Sequence, residues 1–263
     1  MSKAKNSNLG EEVIREGSCS VHTSRTMMLA ELTTILDQVS PDAGPNAYLA
    51  AIVEDNSLGK PTQATRRRTS RRLVELYGLD PRSPLFRLLR KLWAADVSSR
   101  PMLAYVAATA RDPLLREMAP FVVATPIGLV MTPGQIADQL EDRYPARFQA
   151  STSMATAQRL ASTWTQAGLL LGKVKKIRTN PVVTPLVVTI ALAIGWLSGL
   201  RGRLLLESSW TRLLDRATVE VAGLTSEASQ QGWLTYKSSG SVVEVAFPGL
   251  LESGRGGPGH VSD

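Results

Sequence analysis

Cysteine occurs once, at Cys19, and histidine twice, at His22 and His260, among 263 residues. A single thiol excludes an internal disulfide, and with two imidazoles it leaves no zinc cluster to assemble. A reducing, cytoplasmic setting fits. A complete phosphate-binding loop is also missing. Gly168 to Lys173 reads G-L-L-L-G-K, one residue short, with Val174 where a Ser or Thr would hold a metal ion. Glu141 and Asp142 are adjacent carboxylates, but neighbouring helix residues point apart and no metal ligands are spaced around them. These absences argue against catalysis, and no cofactor is expected.

Long apolar runs are scarce too. Thr179 to Leu200 contains no charge over 22 residues and is flanked by Arg178 and Arg201. Pro181 and Pro185 interrupt it, leaving 15 residues before Arg201, which is the length of a buried core helix and short of a membrane span. The N-terminal MSKAKNSNLGEEVIREG has basic residues but no apolar run behind them, so it does not read as a signal peptide.

The most informative absence is of acid. From Pro145 to Leu206 there is no Asp or Glu, while Arg147, Arg159, Lys173, Lys175, Lys176, Arg178, Arg201 and Arg203 give the segment +8. A second block, Lys60 to Lys91, is also +8, with Arg66, Arg67, Arg68, Arg71 and Arg72 close together. The whole chain is +7, so the remaining residues carry −9. A solvated surface usually mixes signs, so this segregation points to an anionic partner.

What is present is mostly helical periodicity. The chain is expected to be mainly α: an N-terminal helical bundle, then winged helix-turn-helix elements with short β-hairpins. Residues 1–22 are polar and read as poorly ordered, and residues 23–125 as a bundle of proline-punctuated helices with leucine-rich stripes. Residues 126–183 form the winged segment. Residues 184–250 follow as a helical unit closed by a hairpin, with strands around Trp233–Tyr236 and Val242–Phe247. The Gly-rich residues 251–263 read as a disordered tail.

Within the winged segment, Thr132-Pro133 starts a helix buried through Ile136, Ala137, Leu140 and Tyr144. A second helix over 151–170 carries an apolar stripe of Met154, Ala157, Leu160, Ala161, Trp164 and Gly168. Thr152, Thr156, Arg159, Thr163 and Gln166 occupy another side, and a basic strand through Lys173, Lys175, Lys176 and Arg178 follows. Helix, turn, helix and basic strand is the order in which a second helix enters the major groove of DNA. Arg159 and Gln166 are the side chains best suited to base edges, with the basic strand on phosphates. Arg66, Arg67, Arg68 and Arg71 form a further backbone-tracking surface. Six neutralised phosphates would cost affinity on the order of a thousandfold between roughly 50 and 200 mM salt.

The order of these features resembles the BrxA family, the small non-enzymatic component of bacterial BREX phage-exclusion operons. The resemblance spans residues 24–250. It rests on N-x-L at Asn56 and Leu58, the Arg-rich helix, and D-P-L-L-R from Asp112 to Arg116. It continues through Thr156, Leu160, Trp164, Ala167, Gly168, Leu169 and Leu170, then G-W-L and V-E-V-x-F-P between Gly232 and Pro248. What it implies is an α-rich protein that binds double-stranded DNA beside a methyltransferase and other BREX subunits. The competing expectation is a basic scaffold that docks acidic partner subunits without reading DNA.

Overall fold

The computed structural model describes residues 13–240 and 242–251. Six of its helices carry a proline in their first two positions, at Pro45, Pro84, Pro101, Pro113, Pro133 and Pro185. Proline loses nothing there, because the first backbone N–H groups of a helix have no intrahelical acceptor. The N-terminal helices are α1 (Leu29–Gln38), α2 (Pro45–Val53), α3 (Gln63–Tyr77), α4 (Pro84–Trp93), α5 (Arg100–Arg111) and α6 (Pro113–Ala124). Pro120 does not end α6, which continues to Ala124.

After α6 come β1 (Val130–Met131), α7 (Pro133–Arg143), α8 (Ala150–Gln166), β2 (Leu170–Leu171) and β3 (Lys176–Arg178). The three strands form one antiparallel sheet in the order β1-β3-β2, with Val130 and Leu171 both paired to Ile177. The remaining elements are α9 (Pro185–Leu197), α10 (Arg203–Leu206), α11 (Ser209–Arg212), α12 (Thr218–Gln230) and a hairpin of β4 (Thr235–Ser239) with β5 (Val242–Ala246). The chain is therefore mainly α with two small antiparallel sheets.

The uncharged stretch becomes α9, in which every residue from Leu186 to Gly195 is buried. A helix apolar on all sides needs neighbours on all sides. It has them: α4 and α5 on one side, α11 and α12 on another. One continuous apolar cluster runs from Val13 to Leu250 and crosses the boundaries expected at 125/126 and 183/184. Among the described residues, no helix is long and apolar enough to cross a membrane.

The N-terminal expectation is corrected for residues 13–22. Val13, Val21 and His22 are buried, and Ser20 nearly so. Arg15 N donates to the Ala110 carbonyl, and Ser20 and His22 reach Asp112 and Thr163, while Glu16 to Cys19 between them are exposed. Residues 1–12 and 252–263 lie outside the described residues.

Candidate nucleic-acid interface

Helix α7 starts with a reciprocal capping box. Gln135 N donates to Thr132 Oγ1, and Thr132 N donates to the Gln135 side chain at 2.8 Å. It packs closely on α8. Between them, the Arg147 guanidinium lies 4.7 Å from the Tyr144 ring centroid and 5.1 Å from that of Phe148. Arg147 also donates to the Ser18 carbonyl, which leaves it partly committed within the protein.

The face of α8 expected to read DNA is largely turned inward. Thr156 and Thr163 are fully buried. Thr163 Oγ1 accepts from Met27 N at 2.9 Å and sits 2.9 Å from His22 Nε2. Arg159 donates to the Thr23 carbonyl at 2.8 Å, and Gln166 Oε1 accepts from Leu29 N at 3.3 Å. The cause is the N-terminal strap, residues 18–29, which lies along this side of the helix. Of the five residues expected on the reading face, only Thr152 is exposed. The open side carries Ser151, Thr152, Met154 and Gln158, with Ala155, Ser162 and Thr165 half-buried. That face is rotated about one residue, roughly 100°, from the expected one.

The strap is fastened by a buried cluster. His22 Nδ1 lies 2.9 Å from Asp112 Oδ2, and Ser20 Oγ donates to the same carboxylate at 2.7 Å. Asp112 also caps α6, accepting from Leu115 N at 3.0 Å. Burial by itself would raise the Asp112 pKa, but the charge and hydrogen bond of His22, with the N–H and O–H donors, hold it well below the usual carboxylate range. An ionised carboxylate only accepts, so His22 Nδ1 carries a proton. Asp, His and a threonine hydroxyl stand in the order of a nucleophile triad. Here all three are buried and Thr163 also holds a backbone amide, so the cluster acts as a clasp.

The basic strand is corrected in the same way. Side chains alternate along a strand, so Lys176 and Arg178 share one side and Ile177 takes the other. That side is inward. Arg178 is buried, donating to the carbonyls of Val122 at 2.7 Å and Leu169 at 3.1 Å, to that of Thr179, and to the Asp215 carboxylate. Lys176 Nζ donates to Thr165 Oγ1 at 2.8 Å, and its partial burial lowers its pKa. Lys173 and Lys175 are different. They sit in the turn between β2 and β3, exposed and without a hydrogen-bond or ionic partner among the described residues. The turn depends on Gly172, at φ +108°, where a Cβ would come within 2.1 Å of the Lys175 carbonyl oxygen.

The arginine-rich helix divides likewise. Arg66 donates to the carbonyls of Val53 at 3.2 Å and Lys60 at 3.4 Å, so it holds the end of α2. Arg72 pairs with Glu75. Arg67, Arg68 and Arg71 are exposed on α3 and unpartnered among the described residues. Ser151, Gln158 and Ser162 are the residues on the open side of α8 that sequence reasoning missed. Their i, i+7, i+11 spacing was visible, but Ser, Thr and Ala on several sides of α8 left its rotation unfixed.

No known protein family matches the chain, and no curated protein is similar to it. The likeness to the BrxA family therefore stands on the sequence pattern alone.

Proposed function

We propose that the chain binds double-stranded DNA as a winged helix-turn-helix, mainly through the phosphate backbone. The observation that carries this reading is the order α6, β1, α7, α8, β2, β3 around a β1-β3-β2 sheet, whose hairpin tip presents two uncommitted lysines. That is the arrangement in which α8 enters the major groove and the hairpin rests on the flanking backbone. The open side of α8 carries no acid and no uncommitted cation. Ser151, Thr152 and Ser162 suit phosphate and sugar contact, and Gln158 is the one long side chain able to pair with an adenine edge. Lys173 and Lys175 neutralise phosphates, and Arg67, Arg68 and Arg71 extend the positive surface. We propose further, from the resemblance of the sequence pattern to the BrxA family, that this activity belongs to a phage-defence complex with other BREX subunits.

Fluorescence anisotropy against a labelled duplex tests the reading. With these five cations on phosphates, affinity falls several-hundredfold between roughly 50 and 200 mM salt. Absence of duplex binding at low salt contradicts it. A scaffold role for the same hairpin has one observation in its favour. Leu171 is 67% exposed and Val174 92% exposed beside the two lysines, an apolar and basic combination suited to an acidic protein surface. Tight binding to an acidic partner with no duplex binding would select that reading.

A further inference from the structure

A cleft of about 300 Å³ opens between the α1–α2 loop, the α3–α4 loop and helix α4, far from α8 in sequence. Phe86, Arg87, Arg90, Lys91 and Ala94 line it from α4, facing Pro41, Asp42 and Pro81. The α4 residues fall at i, i+1, i+4, i+5 and i+8, which puts them on one broad side of the helix.

Its charge is unusual. Arg90 is only 8% exposed, yet among the described residues it has no carboxylate partner. Its two terminal nitrogens donate to the Leu36 and Val39 carbonyls at the end of α1. Its Nε is buried without an acceptor, and so is the Nε of Arg87. Arg87 spends one terminal nitrogen on the Pro81 carbonyl at 3.3 Å, and Lys91 reaches the Gly249 carbonyl at 3.1 Å. The contrast is with Arg178, also buried but paired to Asp215. A cation withdrawn from water without a counter-ion is costly, and an anion supplied from outside would relieve the cost. Among the described residues Asp42 stands at the cleft without forming an ion pair, leaving three cations against one carboxylate.

We infer that this cleft is a binding site for a small organic anion with a flat apolar body and one phosphate or carboxylate group. The anionic group would take up Arg87, Arg90 and Lys91, with guanidinium donors matched to paired oxygens. The apolar body would lie against Pro41, Pro81, Phe86 and Ala94. The volume is at the lower end for ligand pockets, which limits the body to about one ring. This inference does not depend on the DNA reading.

Calorimetric titration of the full chain with phenyl phosphate, benzoate, phenol and inorganic phosphate tests it. One of the two aryl anions should bind well above phenol and inorganic phosphate, and the better of them identifies the anionic group. Arg87→Gln should weaken that binding about tenfold or more. Lys91→Gln should weaken it in the same direction, whereas Lys237→Gln, an equal charge change on β4, should leave it intact. Far-UV circular dichroism confirms that each variant is folded, and Lys91→Gln carries the test if Arg87→Gln is not. Aryl anions binding no better than phenol would overturn the inference, as would equal binding by the Arg87, Lys91 and Lys237 variants.

Discussion

The two basic blocks carry the same formal charge, commit most of it internally, and leave the remainder free in different places. In residues 60–91, Arg66 and Arg90 tie down the ends of neighbouring helices and Arg72 and Arg82 pair with acids, yet among the described residues Arg67, Arg68 and Arg71 stay free along one helix. In residues 145–206 six of the eight cations are committed, much as in the first block, but the free ones sit at a turn and not along a helix. Arg178 is buried on Asp215, Arg159 holds the strap, and Arg201 lies 4.2 Å from the Trp196 ring. Arg203 pairs with Glu207. Among the described residues, only Lys173 and Lys175 of this block remain uncommitted at a surface. A segment's net charge therefore measures a binding surface poorly. Cations without internal partners measure it better.

The sharpest way to break this comparison is Arg178→Ala. It leaves Asp215 unpaired and strips the Val122 and Leu169 carbonyls of a donor, so it should cost about 3–5 kcal/mol, read as a fall in denaturation midpoint. A surface cation would cost less than about 1 kcal/mol. If Arg178→Ala is stable and selectively loses duplex binding, Arg178 belongs to the interface after all.

Next in size is the clasp. Asp112 has a folded pKa below its unfolded value, so its contribution is fully present above the unfolded pKa and is lost as pH falls through the folded one. Stability should therefore drop as pH falls below about 4. Asp112→Asn should flatten that acid limb in denaturant titrations at several pH values. An unchanged limb would remove Asp112 from the account.

The α3 surface is sharpened by replacing Arg67, Arg68 and Arg71 together with Gln. If all three meet phosphates, the salt slope of duplex binding falls by about three, with little change in stability. Smaller still is Gln158→Ala. It should relax discrimination at a single base pair by about 1–3 kcal/mol, measured across duplex variants, while Gln166→Ala leaves discrimination unchanged. The smallest effect on DNA belongs to Thr156→Val. This hydroxyl is buried without a partner, so an apolar isostere should be neutral or stabilising by about 1 kcal/mol and leave binding intact.

Much of this architecture was legible before any coordinates. Proline placement announced helix starts, the Thr132-Pro133 cap was sound, and the uncharged stretch read correctly as a core helix. The hairpin at the C-terminal end was also visible in its alternation. The strap was not, because residues 18–26 are mostly small or polar and the partners that fix the strap lie 90 or more residues away in the chain, at Asp112 and Thr163. With the strap unseen, α8 could not be oriented, since Thr and Ser occupy both its covered and its open sides. Arg178 misled for a related reason. Counting cations along the basic strand ignored the two-residue alternation that turns Lys176 and Arg178 inward together.

The central claim is that the free lysines of the β2–β3 turn, and not the buried cations beside them, meet the phosphate backbone. The direct measurement is the salt slope of duplex binding for the parent chain and for a Lys173→Gln/Lys175→Gln double variant. The account predicts a slope shallower by about two and weaker binding to all sequences alike, at unchanged stability. An unchanged slope in a folded double variant would contradict it.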